Sequence, residues 1–168
     1  EAANRGWAKY QLMHLGDIPL QVREYFKPNV AMITVAGPDN GGNFSLGTTV
    51  EGTMAAVETV RANGGLVIAE HNARMPFVLG DTVPGDWVDY LLHTDYALPV
   101  SPVQPPDDPA RRIGQIIAAL FVKDRCTIQY GIGQVPEAVT DAILEKGVRD
   151  LGIHTELFAD AMRRLVDE

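Results

Sequence analysis

Apolar runs alternate with stretches of helical periodicity along this chain. Continuous or β-branched apolar runs predict strands at 30–36, 44–46, 66–69, 88–92, 127–130 and 151–155. Helical spacing or strong stop signals predict helices at 53–62, 109–121 and 136–146. Strands that alternate with helices about ten residues long are typical of the α/β class, and they predict an open, mostly parallel sheet flanked by helices.

The strands at 30–36 and 66–69 are apolar throughout, which predicts that both of their faces are buried. In the helix at 109–121 an apolar stripe recurs at helical spacing and predicts core packing. Its members are Ile113, Ile116, Ile117, Leu120 and Phe121. The proline-dense stretch just before it predicts an extended linker at 101–110.

The stretch from Thr127 to Glu156 organises the chain. A short strand is followed by the turn Gly131-Ile132-Gly133, by a helix with Pro136 at its first position, and by a second strand that ends near Glu156. Such a crossover implies parallel pairing, so the end of the second strand lies beside the glycine turn. Glycines allow close approach of a ligand, and the amides at the helix start favour an anion or an oxyanion.

Two familiar glycine motifs can be compared with this turn. A phosphate-binding P-loop requires a Lys followed by Ser or Thr, and neither stands at the required position. A dinucleotide fingerprint requires a third small residue where this chain has Pro136, although Glu156 supplies an acid about 20 residues further on. The local pattern therefore leaves dinucleotide binding open as an alternative.

Composition narrows the function class. With 46% hydrophobic residues and a net charge of -8, the chain is expected to be globular, and the acidic balance argues against nucleic-acid and membrane-surface partners. Cys126 is the single cysteine, which indicates a reducing cytoplasm as the compartment. The four histidines are widely scattered, so no metal site is predicted.

Several motifs in the same order resemble one enzyme family. They are Gly131-Ile-Gly-Gln-Val-Pro-Glu-Ala-Val139, Asp150-Leu-Gly-Ile-His-Thr-Glu-Leu-Phe-Ala-Asp160, Pro38-Asp39, Ser45-Leu46-Gly47 and Met75-Pro-x-x-x-Gly-Asp81. From about Pro19 onward the chain resembles the acetyl-CoA hydrolase/transferase family, that is, family I CoA-transferases of the 4-hydroxybutyrate and butyrate kind. The resemblance implies the CoA-transferase α/β architecture.

The resemblance also implies a domain organisation. Residues 1–100 would be the later part of a first α/β domain, residues 101–110 the linker, and residues 111–168 the start of a second domain. The chain would then be a fragment or one subunit, and a missing remainder or second subunit would be its partner. Relatives commonly pair, so a homo-oligomer is expected as well.

The resemblance assigns the chemistry to one acid and one loop. Glu156 matches the family's catalytic glutamate in its His-Thr-Glu motif, and its carboxylate would attack the thioester of an acyl-CoA. The CoA-contacting loop of the family matches Gly131, Ile132, Gly133, Gln134 and Val135. Coenzyme A is then a substrate together with a small carboxylic acid, and CoA passes between them through a glutamyl-CoA thioester. His154 is expected to be a neutral core histidine.

Two alternatives remain open at this point. Water could intercept the glutamyl-CoA thioester, which would make the protein an acyl-CoA hydrolase on the same scaffold. The chain could also be a CoA-binding module without turnover.

A polar segment is predicted to follow the end of the strand at 66–69, either as a solvated loop or as a set of supporting residues in a cleft. Its members are Glu70, His71, Asn72, Arg74 and Asp81.

Overall fold

In the computed structural model, residues 3–102 and 104–167 are described. The chain divides into two compact units, Glu1–Pro99 and Val100–Glu168. The boundary lies next to the proline-dense stretch in which the sequence predicts a linker.

The first unit contains a three-stranded sheet and a two-stranded ribbon. Its helical segments are Leu15–Asp17, α1 (Ile18–Gln21), Val22–Phe26, α2 (Thr53–Ala62) and Gly85–Trp87. Its strands are β1 (Val30–Val35), β2 (Phe44–Ser45), β3 (Leu66–Asn72), β4 (Thr82–Val83) and β5 (Tyr90–Thr94). The sheet has the order β1-β3-β5 with all pairs parallel, whereas β2 and β4 pair antiparallel. The α/β prediction is therefore confirmed.

Only one face of the three-stranded sheet is buried by the described residues. Alternate β1 residues such as Ala31 and Ile33 enter the core against α2, while Met32 between them is 80% exposed. On the same open face Tyr90 is 60% exposed and Leu92 is 52% exposed. The prediction that these strands are buried on both faces is wrong for the described chain, because their apolar sequence exceeds what α2 covers.

The second unit pairs two helices over a small core. It contains α3 (Asp108–Phe121), β6 (Thr127–Ile128), α4 (Gln134–Lys146), β7 (Gly152–Ile153) and α5 (Asp160–Asp167). Asp107 caps the N-terminus of α3, where its carboxylate accepts a hydrogen bond from the Ala110 amide at 2.9 Å. Lys146 connects the other ends of the helices, because its Nζ donates to the Ala118 and Val122 carbonyls at 2.8 and 2.6 Å.

The buried side of α3 is made of small residues, not of the predicted apolar stripe. Ala110, Gly114 and Ala118 are buried, and a Cβ added to Gly114 would lie 2.5 Å from the backbone carbonyl of Ala138 on α4. Of the stripe, only Ile117 packs against the core. The others are exposed: Ile113, Ile116, Leu120 and Phe121. The core prediction fails there because close backbone contact with α4 requires small side chains.

Gly114→Ala tests this close contact. In a helix interior, alanine is normally more favourable than glycine by about 1 kcal/mol. The added methyl group would meet α4 backbone that cannot rotate away, and overpacking typically costs about 1–3 kcal/mol. We therefore expect a net loss in the free energy of unfolding, measured by urea titration with hydrogen exchange of α3 and α4 as the local probe. The exposed Gln115→Ala is the matched control, and a more stable Gly114→Ala protein would contradict the close packing.

Candidate active site

The predicted strand-turn-helix-strand unit is present in the second unit. β6 and β7 pair in parallel, with Thr127 opposite Gly152 and Ile128 opposite Ile153, and α4 lies between them in sequence. Two backbone hydrogen bonds set the register, from the Gly152 amide to Cys126 and from the His154 amide to Ile128, both at 3.0 Å. The strand ends therefore lie at one edge, as the crossover predicted.

The glycine turn leads directly into α4. Gly133 is the N-cap residue with φ +118°, a conformation that favours glycine. The helix begins at Gln134, so Pro136 is its third residue and the prediction that it stands first is wrong by two positions. Proline is tolerated there because amides of the first turn have no acceptor within the helix. Gly147 ends the helix in the left-handed conformation, as predicted.

The five predicted loop residues differ in their surroundings. Gly131, Ile132 and Gly133 are exposed, and a Cβ added at either glycine would meet no atom within 4 Å. Gln134 and Val135 are half-buried: the Gln134 side-chain amide donates to the Pro105 carbonyl at 3.0 Å, and Val135 packs against the core. Open space therefore borders the two glycines, while the next two residues anchor the helix start.

Glu156 follows β7 by three residues and is exposed. The residue before it, Thr155, donates a hydrogen bond from Oγ1 to the carbonyl of Tyr130 at 3.1 Å. Tyr130 in turn precedes Gly131. The predicted nucleophile and the predicted loop are therefore each one residue away from the same hydrogen bond.

Two titratable groups near the loop have shifted pKa values. Burial raises the pKa of the Glu137 carboxyl in the first turn of α4, and the nearby Arg164 guanidinium opposes that shift. Burial likewise raises the pKa of the Tyr130 phenol, opposed by its hydrogen bond with Thr140. Both groups favour their neutral forms more than they would in water, which indicates a partly desolvated surrounding beside the glycine turn.

Sequence reasoning missed the hydroxyl pair that holds Tyr130. Its phenol oxygen lies 2.6 Å from Oγ1 of Thr140, which is fully buried on α4. No spacing rule joins the residue before a glycine turn to a helix residue ten positions later, so the sequence carried no signal for this contact. His154, expected in the core, is exposed and contributes a backbone amide to the β6–β7 ladder.

The polar residues of the first unit lie partly within a strand. β3 continues to Asn72, so Glu70, His71 and Asn72 belong to it, whereas Arg74 and Asp81 follow it as exposed residues. The Glu70 carboxylate accepts a hydrogen bond from the Tyr96 hydroxyl at 2.8 Å.

The motif residues of the first unit make hydrogen bonds and close packing contacts within that unit. Asn72 is buried and bonds the Tyr96 carbonyl and the Arg74 amide. Ser45 Oγ donates to the Val78 carbonyl at 2.8 Å, and Gly47 lies against Met75 where a Cβ would not fit. The Ser45-Leu46-Gly47 and Met75–Asp81 motifs therefore pack against each other, which gives them a structural role.

The described residues contain neither a metal-binding cluster nor a membrane-spanning helix. Across residues 3–102 and 104–167, no three His, Cys, Asp or Glu side chains are grouped in a way that could hold a metal ion. Within the same residues, every helix is too short or too polar to cross a bilayer.

Known proteins resemble this chain over most of its length. The family model described as malonate decarboxylase, alpha subunit, transporter, matches residues 17–145. The 4-hydroxybutyrate coenzyme A transferase of Clostridium kluyveri is 35% identical over 99% of this chain and 38% of its own length. The succinyl-CoA:acetate/propanoyl-CoA:succinate CoA transferase of Fasciola hepatica is 32% identical over 99% of this chain and 34% of its own length.

A solved structure gives the same result. The 4-hydroxybutyrate CoA-transferase of Porphyromonas gingivalis superimposes with a TM-score of 0.79 at 35% identity, covering 98% of this chain and 41% of that protein. The chain thus spans about a third to about two-fifths of the length of these relatives. The matches confirm the resemblance read from the motifs, and the chain belongs to the malonate decarboxylase alpha subunit (transporter) family and is related to the 4-hydroxybutyrate CoA-transferases.

Proposed function

We propose that this chain carries the nucleophile and the CoA-binding loop of a family I CoA-transferase, which moves CoA between an acyl-CoA and a carboxylic acid. The observation that carries the proposal is the Thr155–Tyr130 hydrogen bond, which brings the strand end before Glu156 to the residue before Gly131. It is supported by CoA-transferase relatives that match 99% of the chain, a span that includes Glu156. The family model ends at residue 145 and does not bear on Glu156.

Glu156 is the proposed nucleophile. Its carboxylate adds to the thioester carbonyl and expels the CoA thiolate, which leaves a mixed anhydride between enzyme and acyl group. The thiolate then adds to the glutamyl carbonyl of the anhydride, forms the glutamyl-CoA thioester and releases the acyl group as a carboxylate. An incoming carboxylate reverses both steps and leaves as the new acyl-CoA. No proton is gained or lost, so no general base is needed.

The glycine loop supplies the polarisation that this reaction requires. A carboxylate is a weak nucleophile toward a thioester, so the carbonyl oxygen needs hydrogen-bond donors as its negative charge develops. At the start of α4 the amides of Gln134 and Val135 have no intrahelical acceptor, and Pro136 has no amide to offer. The open space beside Gly131 and Gly133 is where we place the thioester end of CoA.

Two other functions are compared with CoA transfer. The relatives named above are transferases, so an acyl-CoA hydrolase is not favoured. A CoA-binding module without turnover remains the alternative of a different class, and it is distinguished by acyl exchange that depends on Glu156. The cytoplasm stays our proposed compartment, on the ground of the single Cys126.

We further propose that activity requires the parts of the CoA-transferase fold that this chain does not match. Residues 1–100 would belong to a first domain, 101–110 to the linker and 111–168 to a second domain. Two exposed apolar surfaces support this. In the first unit the open sheet face carries Met32 and Tyr90, and in the second unit α3 exposes Leu120 and Phe121. Surfaces of this kind are normally covered by protein. Homo-oligomer formation remains a prediction.

Glu156→Gln tests the nucleophile. The amide keeps the size of the side chain but cannot form the anhydride, so we expect acyl exchange between acetyl-CoA and a second carboxylate to fall by at least about a thousandfold. The exchange is measured for the chain alone and after co-expression with the remaining segments of the Porphyromonas gingivalis relative. Glu145→Gln, an exposed acid on α4, is the matched control and should retain activity. Exchange by Glu156→Gln near the wild-type rate would refute the covalent route.

Gly131→Ala tests the ligand side of the loop. Its φ lies outside the left-handed region and its added Cβ meets no atom of the chain within 4 Å, so the unfolding midpoint should not change. The methyl group would enter the space proposed for CoA, and we expect the KM for acyl-CoA to rise about tenfold or more. Gly133→Ala is the contrasting variant, because φ +118° should strain it by about 1–3 kcal/mol. A wild-type KM in Gly131→Ala would exclude CoA from this position.

A further inference from the structure

The residue before the glycine loop is held on two sides. The Tyr130 carbonyl accepts the hydrogen bond from Thr155 Oγ1 at 3.1 Å, and the Tyr130 hydroxyl lies 2.6 Å from Thr140 Oγ1. Thr140 is fully buried on α4, so the packing around that helix fixes its position. Backbone and side chain of Tyr130 are thereby attached to two different elements.

We propose that Thr155 and Tyr130 are positioning residues of the proposed transferase reaction, a statement that rests on the proposed function. Thr155 fixes the strand end that carries Glu156 against the loop, and the Tyr130–Thr140 pair fixes the loop against α4. Neither hydroxyl contacts the reacting atoms in this scheme. Their task is to hold the distance between the Glu156 carboxylate and the donors at the start of α4.

The shortness of the strands gives this side-chain bond its importance. β6 and β7 are two residues long each, and the backbone bonds from Gly152 to Cys126 and from His154 to Ile128 flank their pairing. A parallel ladder advances two residues at each step, so the next acceptor along it is the Tyr130 carbonyl. That carbonyl receives the hydroxyl of Thr155 instead of a backbone amide. The side chain thus extends the pairing of the two segments to the residue that adjoins Glu156.

Magnitudes distinguish positioning from simple stabilisation. One neutral hydrogen bond contributes little to net stability. In contrast, a displacement of about 1 Å between a nucleophile and its target can cost about a hundredfold in rate. Loss of the Thr155 hydroxyl should therefore reduce kcat strongly and lower the unfolding midpoint only slightly.

Thr155→Val and Thr155→Ser form the central pair of variants. Valine keeps the branched shape without the donor, and we expect kcat to fall about 10- to 100-fold with less than about a threefold change in the KM for acyl-CoA. Serine restores the donor and should return kcat to within about threefold of wild type. Thr127→Val, an exposed threonine at the start of β6, is the matched control and should behave as wild type.

The hydroxyl pair is tested by a double-mutant cycle. Tyr130→Phe and Thr140→Val each remove one partner, and if the two act as a pair the double variant should lose no more kcat than the worse single variant. Independent losses that multiply in the double variant would show that the two hydroxyls do not act on the loop together.

A second readout does not require catalysis. Hydrogen exchange of the peptide that spans 129–135 should speed up in Thr155→Val and return to the wild-type rate in Thr155→Ser. Absence of acyl exchange from the wild-type chain co-expressed with the remaining segments of the Porphyromonas gingivalis relative would overturn the proposed function. Hydrogen exchange of this peptide would still decide whether Thr155 orders the loop. Equal loss of kcat in the valine and serine variants, or unchanged hydrogen exchange in Thr155→Val, would overturn the positioning role.

Discussion

The parallel pairing of β6 with β7 is the constraint on which the site depends. Each strand contributes two residues, yet their register decides that the segment ending at Glu156 lies at the same edge as the turn that starts at Gly131. A slip by one residue would turn every side chain to the other side of the strand. The Thr155 hydroxyl and the Tyr130–Thr140 contact add side-chain bonds where this short backbone ladder stops.

Tight packing and open surface exist side by side in each unit. In the second, Gly114 brings α3 against α4 at backbone contact, while larger apolar residues of α3 such as Leu120 remain exposed. In the first, α2 covers one face of the sheet and Met32 marks the other. Each unit thus has a closed core and a second apolar surface, and that surface is the physical reason for proposing that further protein covers it.

The sequence predicted the elements better than their orientation. The α/β class, the helix Thr53–Ala62 and the stop at Gly147 follow from periodicity and glycine chemistry, which act locally. The open sheet face and the small-residue side of α3 did not follow, because apolar spacing shows that a side chain avoids water but not which neighbour covers it. The strand β5 begins at Tyr90, two residues later than predicted, because pairing with β3 sets its start.

The candidate site was predicted only in outline. The order of the motifs predicted that Glu156 and the glycine turn lie in one unit. The structure shows a hydrogen bond between Thr155 and Tyr130, the residues that precede Glu156 and Gly131. The Tyr130–Thr140 contact arises from packing of the segment after β6 against α4, and the pKa of Glu137 is raised by burial. No one-dimensional pattern contains either feature.

The most direct test of the central claim is to trap the covalent intermediate. Acyl-CoA is added without an acceptor acid, the mixture is treated with borohydride, and the digested protein is read by mass spectrometry. If Glu156 forms a thioester with CoA, borohydride reduces its carbonyl to a primary alcohol with release of the thiol, and the altered residue is found at position 156. An unmodified Glu156 in a protein that exchanges acyl groups would contradict the account.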